Sequence, residues 1–481
     1  MNTYDLLIGG RRRPSGDGAT FTVYEPATGA PLADVAKATT ADIGAAVGSA
    51  HQAFETGTWR TRPASARGRV LHRVAEIVRS RLGEIAELES RNGGKPIGGA
   101  EWEVGNCADL FEYYGGAADK LMGEVPPVDK PGLCVILREP VGPCALIVPW
   151  NFPLVLLARK LAPALAAGNP VVIKPASYTP LTALLLGEIL VEAGVPPEGV
   201  NVVPGHGALI GDALCGDARI TKISFTGEAV TGAEIVRKSA GNIARLSLEL
   251  GGKSACVVFA DADLAACVEA MPGGVFDNAG QDCCARSRIL VERRVYDDFV
   301  ARFAARTDAM NVGQPADRAV EMGPLISARQ RQSALDYIRL GIEAGAELVA
   351  GGGPVADPTL SGGFFLRPAV LAGVDNSMRV AQEEIFGPVA SVIAFDDEDD
   401  AIRIANDSPF GLSGSLWTRD LGRALRVSKA MRTGILSVNS NSSAHTQSTF
   451  GGFKKSGLGR ELGLGALDHY TEMRSIHYSS V

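Results

Sequence analysis

Between Val141 and Gly252, short apolar runs alternate with helix-length segments, and each run ends in glycine or a polar residue. Ala145-Leu146-Ile147-Val148 passes into Pro149-Trp150-Asn151-Phe152-Pro153, and Val171-Val172-Ile173 into Lys174-Pro175. Val200–Val203 passes into Pro204-Gly205-His206-Gly207, and Lys222-Ile223-Ser224-Phe225 into Thr226-Gly227. Such alternation is buried as a parallel sheet covered by crossover helices. Ligands of open sheets of this kind bind beyond the carboxyl ends of the strands, so four loops converge on one predicted site. A second αβ region is expected from Gly251-Gly252 to about residue 440, with strands at Ala255–Phe259 and Arg288–Val291 and helices near 296–310 and 327–344.

The chain has 481 residues, more than one ordinary core holds, so two or three domains are expected. Residues 1–40 read as short strands and turns. Val70, Leu71, Val74, Ile77, Val78, Leu82, Ile85 and Leu88 share one face, and this spacing predicts one helix ending at Asn92-Gly93-Gly94-Lys95-Pro96. Another helix is expected from Trp102 to Lys120. Val125-Pro126-Pro127 and Pro131-Gly132 then break any helix, and Leu133–Arg138 favours a strand. Residues 121–141 therefore read as a projecting hairpin, with which a polar strand at Tyr470–Val481 could pair.

A net charge of -7 argues against a nucleic-acid partner, which needs a basic face. Eight scattered cysteines without a CxxC pair make no disulfide framework, and neither HExxH nor another metal-ligand cluster is evident. A reducing, cytoplasmic setting is expected. Pro14-Ser15-Gly16-Asp17-Gly18 after Arg11-Arg12-Arg13 is no apolar signal core. Apolar runs such as Leu154–Ala158 stop far short of a membrane span.

Two places carry candidate chemistry. Cys283, behind Gly280-Gln281 in the stretch Phe276–Ser287, is a nucleophile if its thiolate forms; a small core filler is the alternative for it and for Cys284. Glu249, flanked by leucines before Gly251-Gly252, is expected to be partly buried, which raises a carboxyl toward the range of a general base. A buried pair with Lys253 is the structural alternative. Gly227-x-x-x-x-Gly232 could seat a pyrophosphate at a helix N-terminus, although it has neither GxGxxG nor P-loop spacing. Lys174, just past a buried strand, could bind a ribose hydroxyl or simply be solvated.

At these residues the chain resembles the NAD(P)-dependent aldehyde dehydrogenase superfamily. The resemblance rests on Phe-x-Asn-x-Gly-Gln-x-Cys at 276–283, Leu-Glu-Leu-Gly-Gly-Lys at 248–253, Pro-Trp-Asn-Phe-Pro at 149–153 and Phe225-Thr226-Gly227. Glu384-Ile385-Phe386-Gly387-Pro388 and the run from Phe450 to Glu461 complete it, in the family's order over nearly the whole chain. It implies an α/β fold: a Rossmann-type cofactor domain (1–120 and 142–252), an α/β catalytic domain (253–440) and a small β oligomerisation arm (121–141 and 462–481). It also implies an enzyme that oxidises a small-molecule aldehyde to a carboxylic acid with NAD or NADP. Such an enzyme is a cytoplasmic homodimer or homotetramer without a membrane or nucleic-acid partner.

The implied roles follow. Cys283 is the nucleophile, Asn151 and the Cys283 N–H form the oxyanion hole, and Glu249 activates the water that hydrolyses the thioester. Lys174 holds the adenosine ribose, Glu384 and Phe386 the nicotinamide ribose and ring, and Gly227 and Gly232 flank the pyrophosphate. Ile147, Pro149, Trp150, Ser177, Gly207 and Phe225 line the rest of the cofactor site. Phe152, Arg159, Asp277 and Phe450 line the substrate tunnel.

Some positions depart from common relatives. Ser177 stands where NAD-preferring members usually carry a glutamate, leaving room for the 2′-phosphate of NADP. Glu228 follows Phe-Thr-Gly where serine is frequent, and is expected to turn from the phosphates or face a basic neighbour. Arg159 stands where many relatives have an aromatic residue, and its guanidinium suits an acid-aldehyde such as succinate semialdehyde. Against that, Asp277 would repel an acid or neutralise Arg159. Residues 278–283 also resemble aminoaldehyde dehydrogenases, so a 4-aminobutyraldehyde-like or a broad-range aliphatic or aromatic substrate is the alternative. An inactive structural homologue is the remote one.

Overall fold

The computed structural model describes residues 2–442 and 444–479. Its first large sheet has eight strands, ordered 457–458, 245–250, 222–227, 144–147, 171–174, 200–202, 6–8 and 11–13. The five strands from 245–250 to 200–202 are mutually parallel. The edge strands run antiparallel to their neighbours. The strand Cys144–Ile147 comes first in the parallel series and has the second strand on one side and the fourth on the other. Strand order therefore reverses beside it, and an α/β sheet opens a ligand crevice at such a point.

The helix Pro153–Ala167 leaves that strand end and is buried all round, as its continuous apolar sequence requires. Pro153 opens it, where a missing N–H costs nothing. Helices Ala64–Ser80, Leu82–Gly93 and Ile97–Ala117 pack on the same face. The single helix expected up to Asn92 is thus two. Arg81 leaves helical geometry at ψ 19°, and the Ser80 hydroxyl donates to the Ile77 carbonyl at 2.8 Å, competing with the helix ladder.

A second sheet of seven strands, ordered 347–350, 369–372, 389–395, 288–292, 255–258, 413–417 and 435–438, is parallel except at its 347–350 edge. Its core is centred on Val257, Ile289, Leu290 and Val392.

The arm is not a hairpin of 121–141. Gly132–Pro140 pairs instead with Thr471–Ser479, antiparallel and in register from end to end. Residues 121–131 add only the bridge between Glu124 and Ile136, because Pro126, Pro127 and Pro131 have no N–H to give a ladder. The pairing expected with the C-terminal strand is present over 471–479. Ser480 and Val481, the end of the expected arm, lie outside the described residues. Among the described residues no helix is long and apolar enough to cross a membrane.

Candidate active site

A cleft of about 530 Å³ opens at the reversal of strand order. Pro149, Trp150, Asn151, Gly227, Cys283, Glu384 and Phe386, all singled out in the sequence, line it together.

Cys283 reaches the cleft on a loop with three consecutive left-handed residues: Asn278 at φ 49°, Ala279 at φ 58° and Gly280 at φ 69°. For the first two this costs about 1–2 kcal/mol each, so the surroundings must hold them. Asn151 Nδ2 donates to the Gln281 carbonyl at 2.9 Å, and Asn278 Nδ2 returns a bond to the Asn151 carbonyl at 2.8 Å. The Gln281 side chain donates to the Asn278 carbonyl and accepts from the Ile326 N–H, both at 2.9 Å. At Gly280 a Cβ would come within 2.3 Å of the Gly387 carbonyl oxygen, so only glycine fits. Asn151 is thereby fixed against the cysteine loop. It spends one amide hydrogen on Gln281 and keeps the other, while its Oδ1 is buried with no partner.

Cys283 is half-buried, and Cys284 is buried against the core. The neighbouring Cys284 sulfur, burial and the Asp282 charge together hold the Cys283 thiol well above its usual pKa. A base is therefore needed for attack. Glu249 is 3 % exposed, and neither carboxylate oxygen has a hydrogen-bond partner. Burial, then the nearby Glu461 charge, raise its pKa well above the ordinary range, against Lys160, Arg460 and Arg159. The alternative pairing with Lys253 does not form. The Lys253 ammonium has no hydrogen-bond partner, and burial with Arg288 nearby lowers its pKa to about 7.

The cofactor candidates occupy two levels. At the cleft floor the Gly252 N–H donates to Glu384 at 3.2 Å, and burial pushes the Glu384 carboxyl up to about 7. Phe386 is left-handed at φ 55°. The Gln330 amide pins it by donating to its carbonyl at 2.7 Å, and its ring meets Trp150 edge-on at 5.2 Å. Lys174, at the end of its strand, is buried rather than solvated. Among the described residues its ammonium reaches only the Pro175 carbonyl, at 3.0 Å, and burial lowers its pKa to about 8. Ile147 and Phe225 are buried strand residues beneath the cleft, Ser177 is half-buried, and Gly207 opens an outlying helix. Gly232 is where the helix Ala229–Ser239 packs on Leu250. Thr226 leaves a buried hydroxyl with no partner at the cleft wall. An orphan donor at the sheet's switch point, with an acid and an aromatic ring opposite, fits a dinucleotide. Glu228 does not turn away: it lines the cleft, and its charge reaches Glu384.

The tunnel candidates separate into two groups. Arg159 is 6 % exposed, stacks its guanidinium 4.7 Å from the centre of the buried Phe450 ring, and has a buried Nε without a partner. Asp277 does not neutralise it. The charges acting most on Asp277 are those of Asp282 and Lys95, and burial of its base with Asp282 pushes its carboxyl up to about 6, although one face stays open to solvent. Phe152 lies over the Lys95 ammonium at 4.6 Å.

Beneath Phe152, Lys95 is buried with Glu89 and Glu103. Glu103 also accepts from the N–H groups of Leu154 and Val155 at 2.9 and 3.0 Å, capping the helix that follows Asn151. Lys160 is paired with Glu461 in the same interior. Sequence reasoning missed these groups, as well as Gln330, Tyr178 and Arg329 of the cleft. The only signal for the charges was their placement within apolar helices. It also passed over adjacent metal-ligating atoms at Asp282, Cys283 and Cys284.

The model of the aldehyde dehydrogenase family matches residues 13–476. Human retinal dehydrogenase 2 is 43 % identical over 475 residues, covering 98 % of this chain and 91 % of that protein. The structure of betaine aldehyde dehydrogenase from Staphylococcus aureus in complex with NAD+ superposes with a TM-score of 0.98 at 34 % identity, over 99 % of this chain and 95 % of that one. The NAD-dependent aldehyde dehydrogenase from Sinorhizobium meliloti gives a TM-score of 0.97 at 36 % identity, over 99 % and 95 % of the two chains.

Proposed function

The chain belongs to the aldehyde dehydrogenase family, and we propose that it oxidises an aldehyde to its carboxylic acid with NAD, using Cys283, Glu249 and Asn151. The observation that carries the assignment of residues is the Glu249 carboxylate, buried with no hydrogen-bond partner and with a raised pKa. A carboxylate so placed, with its pKa raised by burial, is a stronger base than an exposed one. Cys283 gives its proton to water in the cleft and, as thiolate, attacks the carbonyl carbon, giving a thiohemiacetal whose oxyanion meets the second amide hydrogen of Asn151. A nicotinamide cofactor, held by Glu384 and Phe386, would supply the hydride acceptor. Glu249 then takes a proton from water as it attacks the thioester, and Cys283 leaves as thiolate. Replacing Cys283 with alanine should abolish aldehyde-dependent cofactor reduction; undiminished turnover would overturn the assignment.

Glu384 and Phe386 would hold the nicotinamide ribose and ring, and Lys174 and Ser177 the adenosine ribose. Ser177 brings no negative charge there, which supports use of NADP as well as NAD. Comparing kcat/KM for the two cofactors tests this, and negligible turnover with NADP refutes it.

For the aldehyde, Arg159 favours an acidic substrate of the succinate semialdehyde kind, since its buried Nε has no hydrogen-bond partner among the described residues. The open face of Asp277 favours a second reading, a cationic aminoaldehyde. Arg159→Met should raise KM for succinate semialdehyde selectively; an equal effect on neutral aldehydes excludes carboxylate recognition. The division into cofactor domain, catalytic domain and β arm belongs to the same reading, as do a cytoplasmic setting and assembly through the arm into a dimer or tetramer.

A further inference from the structure

The nucleophile's loop carries a donor set of which aldehyde oxidation uses only Cys283. The carboxylate of Asp282 and the sulfurs of Cys283 and Cys284 each have a ligand atom within 4.8 Å of the others. Cys283 Sγ lies 3.7 Å from Asp282 Oδ1, and the Cys284 sulfur lies within 4.8 Å of the ligand atoms of both. A tetrahedral zinc ion, with Zn–S of about 2.3 Å and Zn–O of about 2.0–2.2 Å, holds its ligand atoms roughly 3.5–3.8 Å apart. The protein thus presents two soft donors and one hard donor, one pair already at 3.7 Å and all within 4.8 Å of one another.

One further feature favours a cation here. Cys283 faces the cleft, so the fourth coordination position is open to water, and three protein ligands with one open position is a stable zinc arrangement.

We propose that Asp282, Cys283 and Cys284 form an inhibitory binding site for a thiophilic divalent cation, of which zinc is the probe. Binding forms two metal–sulfur bonds and one metal–oxygen bond and releases one proton from each thiol; no electrons move. The nucleophile is then a metal ligand and cannot attack an aldehyde. Cys284, otherwise a bystander, is the residue that turns a single weak thiol ligand into a chelate.

The inhibitory consequence rests on the reading of Cys283 as nucleophile, whereas the metal site itself does not, so the two are measured apart. Enzyme with NAD is assayed at buffered free zinc, for the wild type and for Cys284→Ala. Wild type should lose activity reversibly, regaining it with a chelator, and Cys284→Ala should need about tenfold or more free zinc for half-inhibition. Cobalt(II) added to the protein without aldehyde gives an independent readout. The sulfur-to-cobalt charge-transfer band should fall to about half in Cys284→Ala and vanish in the Cys283→Ala/Cys284→Ala double variant, two thiolates becoming one and then none. Equal zinc sensitivity of wild type and Cys284→Ala, or an unchanged cobalt band in the double variant, would overturn the proposal. A Cys283→Ala enzyme that still oxidises aldehydes would instead overturn the assignment of the nucleophile and leave the cobalt result standing.

Discussion

The Glu384 carboxylate occupies the space that a side chain on Gly251 would need: a Cβ there would lie 1.8 Å from Glu384 Oε2. The glycine after Glu249 is what lets the strand of the base and the loop of Glu384 close on each other. Gly251→Ala should therefore push Glu384 out of the cleft. A shift of about 1 Å in a positioning group costs up to about 100-fold in rate. Steady-state kinetics should show kcat/KM for NAD falling by about that factor while thermal unfolding changes little.

Glu249→Gln separates the two halves of the reaction. Acylation should persist and hydrolysis should slow by about 10²–10⁴-fold, so that an acyl-enzyme accumulates and is visible by mass spectrometry after quenching. The pH dependence has a definite sign. Glu249 must lose its proton to act as base, and burial with Glu461 raises its pKa. Hydrolysis by the wild type should rise with pH through that raised value and level off above it. The glutamine variant should lack this limb.

The interior below Phe152 has one ammonium, Lys95, for two carboxylates, Glu89 and Glu103. Glu103 makes three bonds as an acceptor, to Lys95, Leu154 and Val155. Burial and the Glu103 charge push Glu89 up to about 8, so at neutral pH it keeps its proton. Glu89→Gln should then be nearly silent near neutral pH. Glu103→Gln should cost about 3–5 kcal/mol of stability by stranding a buried charge, and should lower activity by loosening the helix behind Asn151. A carboxyl whose pKa rises on folding stabilises fully below its unfolded value, near 4.5, and that contribution is lost as pH climbs to about 8. Denaturant unfolding at several pH values should show the slope in wild type and a flatter profile in Glu89→Gln.

Gln330 holds Phe386 in its left-handed conformation through two carbonyl contacts, at 3.2 Å to Ile385 and 2.7 Å to Phe386. Losing them costs about 1–2 kcal/mol of preorganisation, so Gln330→Ala should raise the NAD dissociation constant about 5–30-fold, measurable by titration calorimetry.

What could be read from the chain alone was local. Each parallel strand and the polar residue after it are neighbours in sequence, so the sheet and its loaded edge were legible. Cys283 behind Gly280-Gln281 and Glu249 before Gly251-Gly252 stood out for the same reason. Lys160 and Glu461 are 301 residues apart, and neither signals the other. Glu103 looks like one more charge on a helix until its carboxylate is found on Leu154 and Val155, 51 and 52 residues on. The arm was misread because its strand signal was paired with its nearest neighbour. The helix break at Arg81 was missed because the apolar stripe runs through it unbroken.

The strand Thr471–Ser479 closes the arm, Glu461 neutralises Lys160, and the Tyr470 carbonyl accepts from Asn169 at 2.9 Å. All three come from residues 461–479 and complete structure laid down more than 300 residues earlier. A ribosome works from the amino terminus at about 5–20 residues per second, so for tens of seconds the nascent sheet keeps an open edge and an unpaired interior lysine. The catalytic interior is therefore completed only once residues 461–479 have left the ribosome, and until then the growing chain depends on whatever shields that edge from its neighbours.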